Sequence, residues 1–151
     1  MEKSQEDFKS KRKTLRSLTT KLITKIARVA PLKKLSLPRL ELLAALIGDR
    51  LFETLRKVFK ITNNYIFSDS TVALSWIRGY VKQWKPFVSN RVDEIQDLTN
   101  PQNWRFVKGE QNHADFVSRG CSAGELLKNR RLWDGPHWLT LSEENWLKNE
   151  R

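Results

Sequence analysis

Positive charge in this chain is crowded at one end, and that limits where a core can form. Residues 1–40 hold 12 of the 28 Lys and Arg but only three of the 17 acids (Glu2, Glu6 and Asp7), a local charge of +9. The other 111 residues hold 16 bases and 14 acids, +2, and complete the chain's +11. Residues 1–20 show no apolar period, so they cannot bury enough surface to offset the entropy of ordering. They read as a basic arm, disordered or helical, and the folded domain is expected after them. Such an arm attracts phosphate backbones through counterion release, and a solvated tail with no partner is the plainer alternative.

Composition removes several classes. Hydrophobic residues make up 39% of the 151, enough for one domain with its own core. The longest apolar run, Leu42 to Ile47, is six residues, too short for a membrane span. The polar, basic first 20 residues contain no secretory signal. Cys121 is the only cysteine, so no intrachain disulfide forms and an intracellular compartment, cytoplasmic or nuclear, is expected. His113 and His137 lack zinc-finger spacing.

Beyond residue 20 the pattern alternates. Leu22 to Val29 reads as a short strand closed by Ala30-Pro31. Ser36 and Pro38 announce a helix to about Phe59. Leu40, Leu43, Ile47, Leu51, Leu55 and Val58 form its apolar stripe, and Glu41, Ala45 and Gly48 a second face of small residues suited to close approach. Tyr65-Ile66-Phe67 reads as a strand, Val72 to Arg78 as a helix stopped by Gly79, and Pro86 as the start of another helix facing inward through Val88, Val92, Ile95 and Thr99. Trp104 to Val107 is a third strand, and Asn112 an N-cap for a helix to Arg119. A tryptophan-rich tail follows, with one more helix and a loop at Trp133, Pro136 and Trp138. Strands separated by helices predict a mixed α/β layer. The expected divisions are a basic arm (1–20), a domain (21–125) and the Trp-rich extension (126–151).

Three acids occupy places where chemistry is possible. Glu41 lies on the small-residue helix face, Asp69 just past a strand, and Asp115 in the first turn of a helix after another strand. Acids converging from separate elements on one sheet edge suit Mg²⁺, and paired ions ~4 Å apart would stabilise both oxygens of a displaced phosphodiester. Each acid has a plainer reading: Asp69 as a helix N-cap, Asp115 as a dipole complement, and Glu41 as a surface acid near Arg39 or Arg50. A second cluster, Arg78, Lys82, Trp84, Lys85 and Arg91, interleaves cations with an aromatic as a phosphate-tracking surface does. Core packing of Trp84 with solvated cations is the alternative.

Six residue blocks go beyond pattern. Arg28-Val-Ala-Pro-Leu-Lys33 and Pro38-Arg-Leu-Glu-Leu-Leu-Ala-Ala-Leu46 are the first two. Phe67-Ser-Asp-Ser-Thr-Val-Ala-Leu-Ser-Trp-Ile-Arg-Gly79 and Trp84-Lys-Pro-Phe-Val-Ser-Asn-Arg-Val92 follow. Gly109-Glu-Gln-Asn-His-Ala-Asp-Phe-Val-Ser-Arg-Gly120 and Leu132-Trp-Asp-Gly-Pro-His-Trp-Leu139 complete the series. In this order they resemble the ribonuclease H-like region of Bel/Pao-type retrotransposon polyproteins, over about residues 22–140. The resemblance implies a ribonuclease H-like mixed sheet flanked by helices, and hydrolysis of the RNA strand of an RNA–DNA hybrid by two divalent ions, Mg²⁺ or Mn²⁺, held by four acids. Glu41, Asp69 and Asp115 stand at the second, third and fourth of those acids.

The first acid is missing. The family carries it in a Phe-x-Asp-Ala-Ser run on its first strand, before the Val-Ala-Pro-Leu block, and Asp7, the only upstream aspartate, has no strand alternation around it. The first two strands are expected to be absent as well, leaving a gap in the sheet and helix 37–59 short of packing surface. His113 stands where the family has proline, and Glu110 where many ribonuclease H domains place a mobile histidine. Three acids bind Mg²⁺ weakly, so the chain is expected to be a truncated remnant with little or no nuclease activity, unless Met1 lies inside a longer polyprotein that supplies the missing strand. A non-catalytic basic nucleic-acid-binding module is the alternative. An aspartic peptidase is disfavoured because its Asp-Ser/Thr-Gly motif needs glycine where Thr71 stands, and neither histidine lies in a nucleophile motif.

Overall fold

The computed structural model describes residues 23, 24, 26, 34–114 and 122–146. It is helix-rich, with a small parallel sheet. Helix α1 spans Leu37–Phe59, strand β1 Ile66–Ser68, helix α2 Thr71–Arg78, helix α3 Pro86–Leu98 and strand β2 Trp104–Phe106. Two short helices, α4 (Ala123–Lys128) and α5 (Arg130–Asp134), and two 3₁₀ turns follow. Strands β1 and β2 pair in parallel, with Ile66 opposite Trp104 and Ser68 opposite Phe106. The crossover between them carries α2 and α3, the βαβ arrangement that parallel strands require.

Both long helices open as their prolines predict. Pro38 and Pro86 sit in the first turn, where the missing N–H has no helical acceptor to lose. The core lies where α1, α2, α3 and β2 meet, and comprises Leu42, Leu46, Leu74, Ile77, Val88, Val92, Ile95 and Trp104. Outside it, Arg50 of α1 grips Glu94 of α3 with two hydrogen bonds, 2.5 and 2.8 Å.

The face that α1 buries differs from the expected stripe. Leu42, Leu46 and Asp49 are buried, whereas Leu40, Leu43, Ile47, Leu51 and Leu55 are half-buried and Val58 is exposed. Helices α2 and α3 both pack against the first of these faces. Close approach at Gly48 is also not found, since a Cβ there would meet nothing within 4 Å. Of the strand expected over 22–29, the described residues Ile23, Thr24 and Ile26 are exposed and belong to no strand. The rest of that segment and the arm 1–20 lie outside the described residues, as does the helix expected after Asn112 beyond residue 114.

The sheet alternates its faces. Ile66, Trp104 and Phe106 point to the core. Phe67 points the other way, to the tryptophan-rich tail: its ring meets Trp138 at 5.0 Å and Trp146 at 6.2 Å, both edge-on. Trp146 also meets Tyr65 at 5.1 Å, and Arg105 stacks on Tyr65 at 4.1 Å while pairing with Glu143. The Tyr65 hydroxyl donates to Glu143 at 2.6 Å. These tryptophans therefore cover a sheet face.

Gly79 closes α2 with its N–H bonded to the Trp76 carbonyl. A Cβ there would stand 2.9 Å from Trp84 Cζ2 and 3.0 Å from the Ser75 carbonyl oxygen. Backbone cannot yield as a side-chain tip can. Gly79→Ala is therefore expected to destabilise the fold by ~1–3 kcal/mol, measured by urea denaturation, with Trp84 displaced.

Candidate functional site

Glu41 is bonded to Ser70, the residue after Asp69, at the carboxyl end of the parallel strands, the edge where open α/β sheets bind ligands. Asp69 follows β1 directly and is exposed. Its Oδ2 lies 3.7 Å from the position a Cβ would take at Gly109, in the turn after β2. Ladder bonding continues past β2 through Val107 N–H to the Ser68 carbonyl, 3.0 Å, which holds the two loops side by side.

Ser70 ties Glu41 to this edge. Its hydroxyl donates to Glu41 Oε2 and accepts from the Ala73 N–H at 3.1 Å. Ser70, not Asp69, is thus the N-cap of α2. The capping alternative for Asp69 is not what the fold uses, and its carboxylate is left for other work. Glu41 is half-buried on α1, one turn from Leu37. It is no partner of Arg50, which is held by Glu94. The residue reading missed Ser70. The signal was its place between a strand-end acid and a helix, where a hydroxyl can both cap and donate.

Asp115, the third acid, lies outside the described residues. Among the described residues no group of three or more His, Cys, Asp or Glu is placed to hold a metal ion. The described donor set is two carboxylates, one already accepting a hydroxyl proton. Carboxylates usually supply one or two of the six oxygen ligands of Mg²⁺, beside waters and substrate phosphates, so this set suits at most one ion and falls short of a paired-ion site. Glu110 is exposed in the turn after β2 and presents a carboxylate where a proton-transferring histidine was sought.

The five candidate nucleic-acid contacts divide. Arg78 donates from Nη2 to the Trp104 carbonyl at 2.5 Å, which ties it to β2. Arg91 lies 3.7 Å above the Phe87 ring and donates to the Phe87 carbonyl at 2.7 Å. Lys82 and Lys85 are exposed, with their ammonium groups in no salt bridge among the described residues. Trp84 is half-buried, packs against the core and meets Trp76 edge-on at 6.5 Å. Among the described residues no helix is long and apolar enough to cross a membrane.

No curated protein and no solved structure matches this chain. Residues 8–70 match the family model described as the Pao retrotransposon-like RNaseH-like domain. The match begins inside the segment read as a basic arm and takes in both Glu41 and Asp69. The resemblance read from the residue blocks is supported over residues 8–70, where this chain is similar to the Pao retrotransposon-like RNaseH-like domain.

Proposed function

We propose that this chain is a retrotransposon-derived ribonuclease H-like domain that binds nucleic acid and, as it stands, cleaves an RNA–DNA hybrid little or not at all. The observation that carries this reading is the Ser70 hydroxyl, next in sequence to Asp69 at the carboxyl end of β1, donating to Glu41. Periodicity alone gives no reason for Glu41 to be tied to this edge, whereas a metal-holding ancestor does. Asp115 belongs to the same reading as the third acid. Within residues 1–151 no acid matches the family's first, so Mg²⁺ or Mn²⁺ is expected to bind this chain weakly as it stands.

A hybrid would be held by shape, phosphate and 2′-hydroxyl contacts, without base sequence. Lys82, Trp84 and Lys85 are the best placed of the five candidates, since Arg78 and Arg91 are engaged within the fold. Other parts of a retrotransposon polyprotein are the protein partners this origin suggests.

The test is incubation of the full chain with a labelled RNA–DNA hybrid and Mg²⁺ or Mn²⁺. Binding that weakens steeply with salt, and no cleavage above the metal-only control, is the expected result. Metal-dependent cleavage abolished by Asp69→Asn would overturn the inactivity. Loss of all hybrid binding on deletion of residues 1–20 would favour a module acting through its basic segment alone.

A further inference from the structure

A cavity of about 540 Å³ opens where the starts of α1 and α3 approach each other. That volume lies within the ~300–1,000 Å³ of small-molecule sites. Trp76, Trp84, Pro38 and Val88 supply apolar walls, and Arg39 and Lys85 line it too. The Trp84 indole N–H is buried without a hydrogen-bond partner. Among the described residues neither Arg39 nor Lys85 enters a salt bridge, although Arg39 lies 5.1 Å from the Phe87 ring centre.

The surrounding backbone adds to the same sign. Helices α1 and α3 have no acid in their first turns, and the side chains of Ser36 and Lys85 make no capping bond. Their N-terminal dipoles therefore reinforce the two cations without opposition. Flat aromatic walls flanked by two cations outside any salt bridge among the described residues suit a nucleotide, with a flat base and an anionic phosphate. The chain's own basic arm, residues 1–20 with six Lys and Arg against three acids, carries the wrong sign to fill this space. We propose that the cavity receives one unpaired nucleotide of a single-stranded nucleic acid, its base against Trp84 and Trp76 and its phosphate at Lys85 and Arg39. Stacking tolerates any base, and the phosphate contact carries the salt dependence. The inference rests on the nucleic-acid reading above but not on the acids, since Glu41 is not among the cavity's lining residues.

The experiment uses the full chain in EDTA with ten-nucleotide single strands, DNA or RNA, carrying a central 2-aminopurine. Binding is expected to quench the probe. The double variant Arg39→Glu/Lys85→Glu is expected to lose at least about tenfold in affinity together with the quench, while circular dichroism shows the fold intact. A charge-matched control, Lys57→Glu/Lys60→Glu at the far end of α1, is expected to lose no more than about twofold. Lys85→Glu alone, at an exposed side chain, gives the intermediate case should the double variant unfold. The deoxyribose and ribose probes separate the two possible sources of the nucleotide. Equal losses in both double variants, or binding without quench, would overturn the cavity site. RNA–DNA hybrid binding that persists alongside such a result leaves the proposed function standing, so the two failures are distinguishable.

Discussion

Trp104→Ala is expected to remove ~3–5 kcal/mol of stability, a large share of the ~5–15 kcal/mol that holds a domain of this size. Trp104 is 1% exposed and is the largest fully buried side chain. It is also the residue of β2 on which three other elements converge. Its indole N–H donates to Thr99 Oγ1 at 3.0 Å, at the end of α3. Its carbonyl accepts from Arg78 of α2, and it belongs to the buried cluster that also holds Leu42 and Leu46 of α1. Among the described residues the sheet has two three-residue strands, so little rigid sheet surrounds the cavity that alanine leaves. Trp104→Phe keeps most of the apolar volume and is expected to cost ~1–2 kcal/mol, the hydrogen bond to Thr99 being the main loss. Guanidinium denaturation followed by far-ultraviolet circular dichroism measures both. An alanine variant within ~1 kcal/mol of the parent would mean that β2 is not the keystone described.

Local chemistry made the long elements legible. Pro38 and Pro86 fix where α1 and α3 begin, and Val88, Val92 and Ile95 recur on one face of α3 and are buried there. The strands at Ile66 and Trp104 follow from runs of large apolar residues bounded by turns, and their parallel pairing from the helices between them. What periodicity misjudged on α1 was the face. Its leucines are spread so widely that two stripes fit the helix, and only the positions of α2 and α3 choose Leu42, Leu46 and Asp49 over Leu40, Leu43 and Ile47.

The site was legible in part for a related reason. Glu41 and Asp69 come from different elements, and no local pattern links them; the family resemblance supplied the link, and the structure ties Glu41 to Ser70, the neighbour of Asp69. Ser70 itself was hidden because Asp69 is an equally good cap by residue type, and the choice depends on which side chain α1 needs. The tryptophans of the tail were read as packing groups, and their face of the sheet became visible only once Phe67 was seen to point away from the core.

Asp49→Asn is expected to stabilise the protein at neutral pH and to make no such difference in acid. Asp49 is fully buried on α1, and neither carboxylate oxygen has a hydrogen-bond partner. Burial is the main cause that pushes its carboxyl up from 3.8 to about 6. The Thr99 side chain opposes this, while the negative charges of Glu53 on α1 and Glu94 on α3 add to it. The folded state therefore holds this proton more tightly than the unfolded chain does. Below about pH 4 both states are protonated and the carboxyl costs nothing through charge. As pH rises from 3.8 to about 6 the unfolded chain ionises first, and stability falls. Above that window the deficit is constant, at most about 3 kcal/mol from a shift of about two units. An amide of the same shape cannot ionise, so Asp49→Asn should unfold at higher urea than the parent at pH 7–8, with the gap closing toward pH 4. Asp49→Leu should show the same pH dependence and serves as a check on amide-specific contacts. A gap that stays constant across this range would show that the carboxyl is ionised and compensated in the fold, and that the core of α1 tolerates its charge.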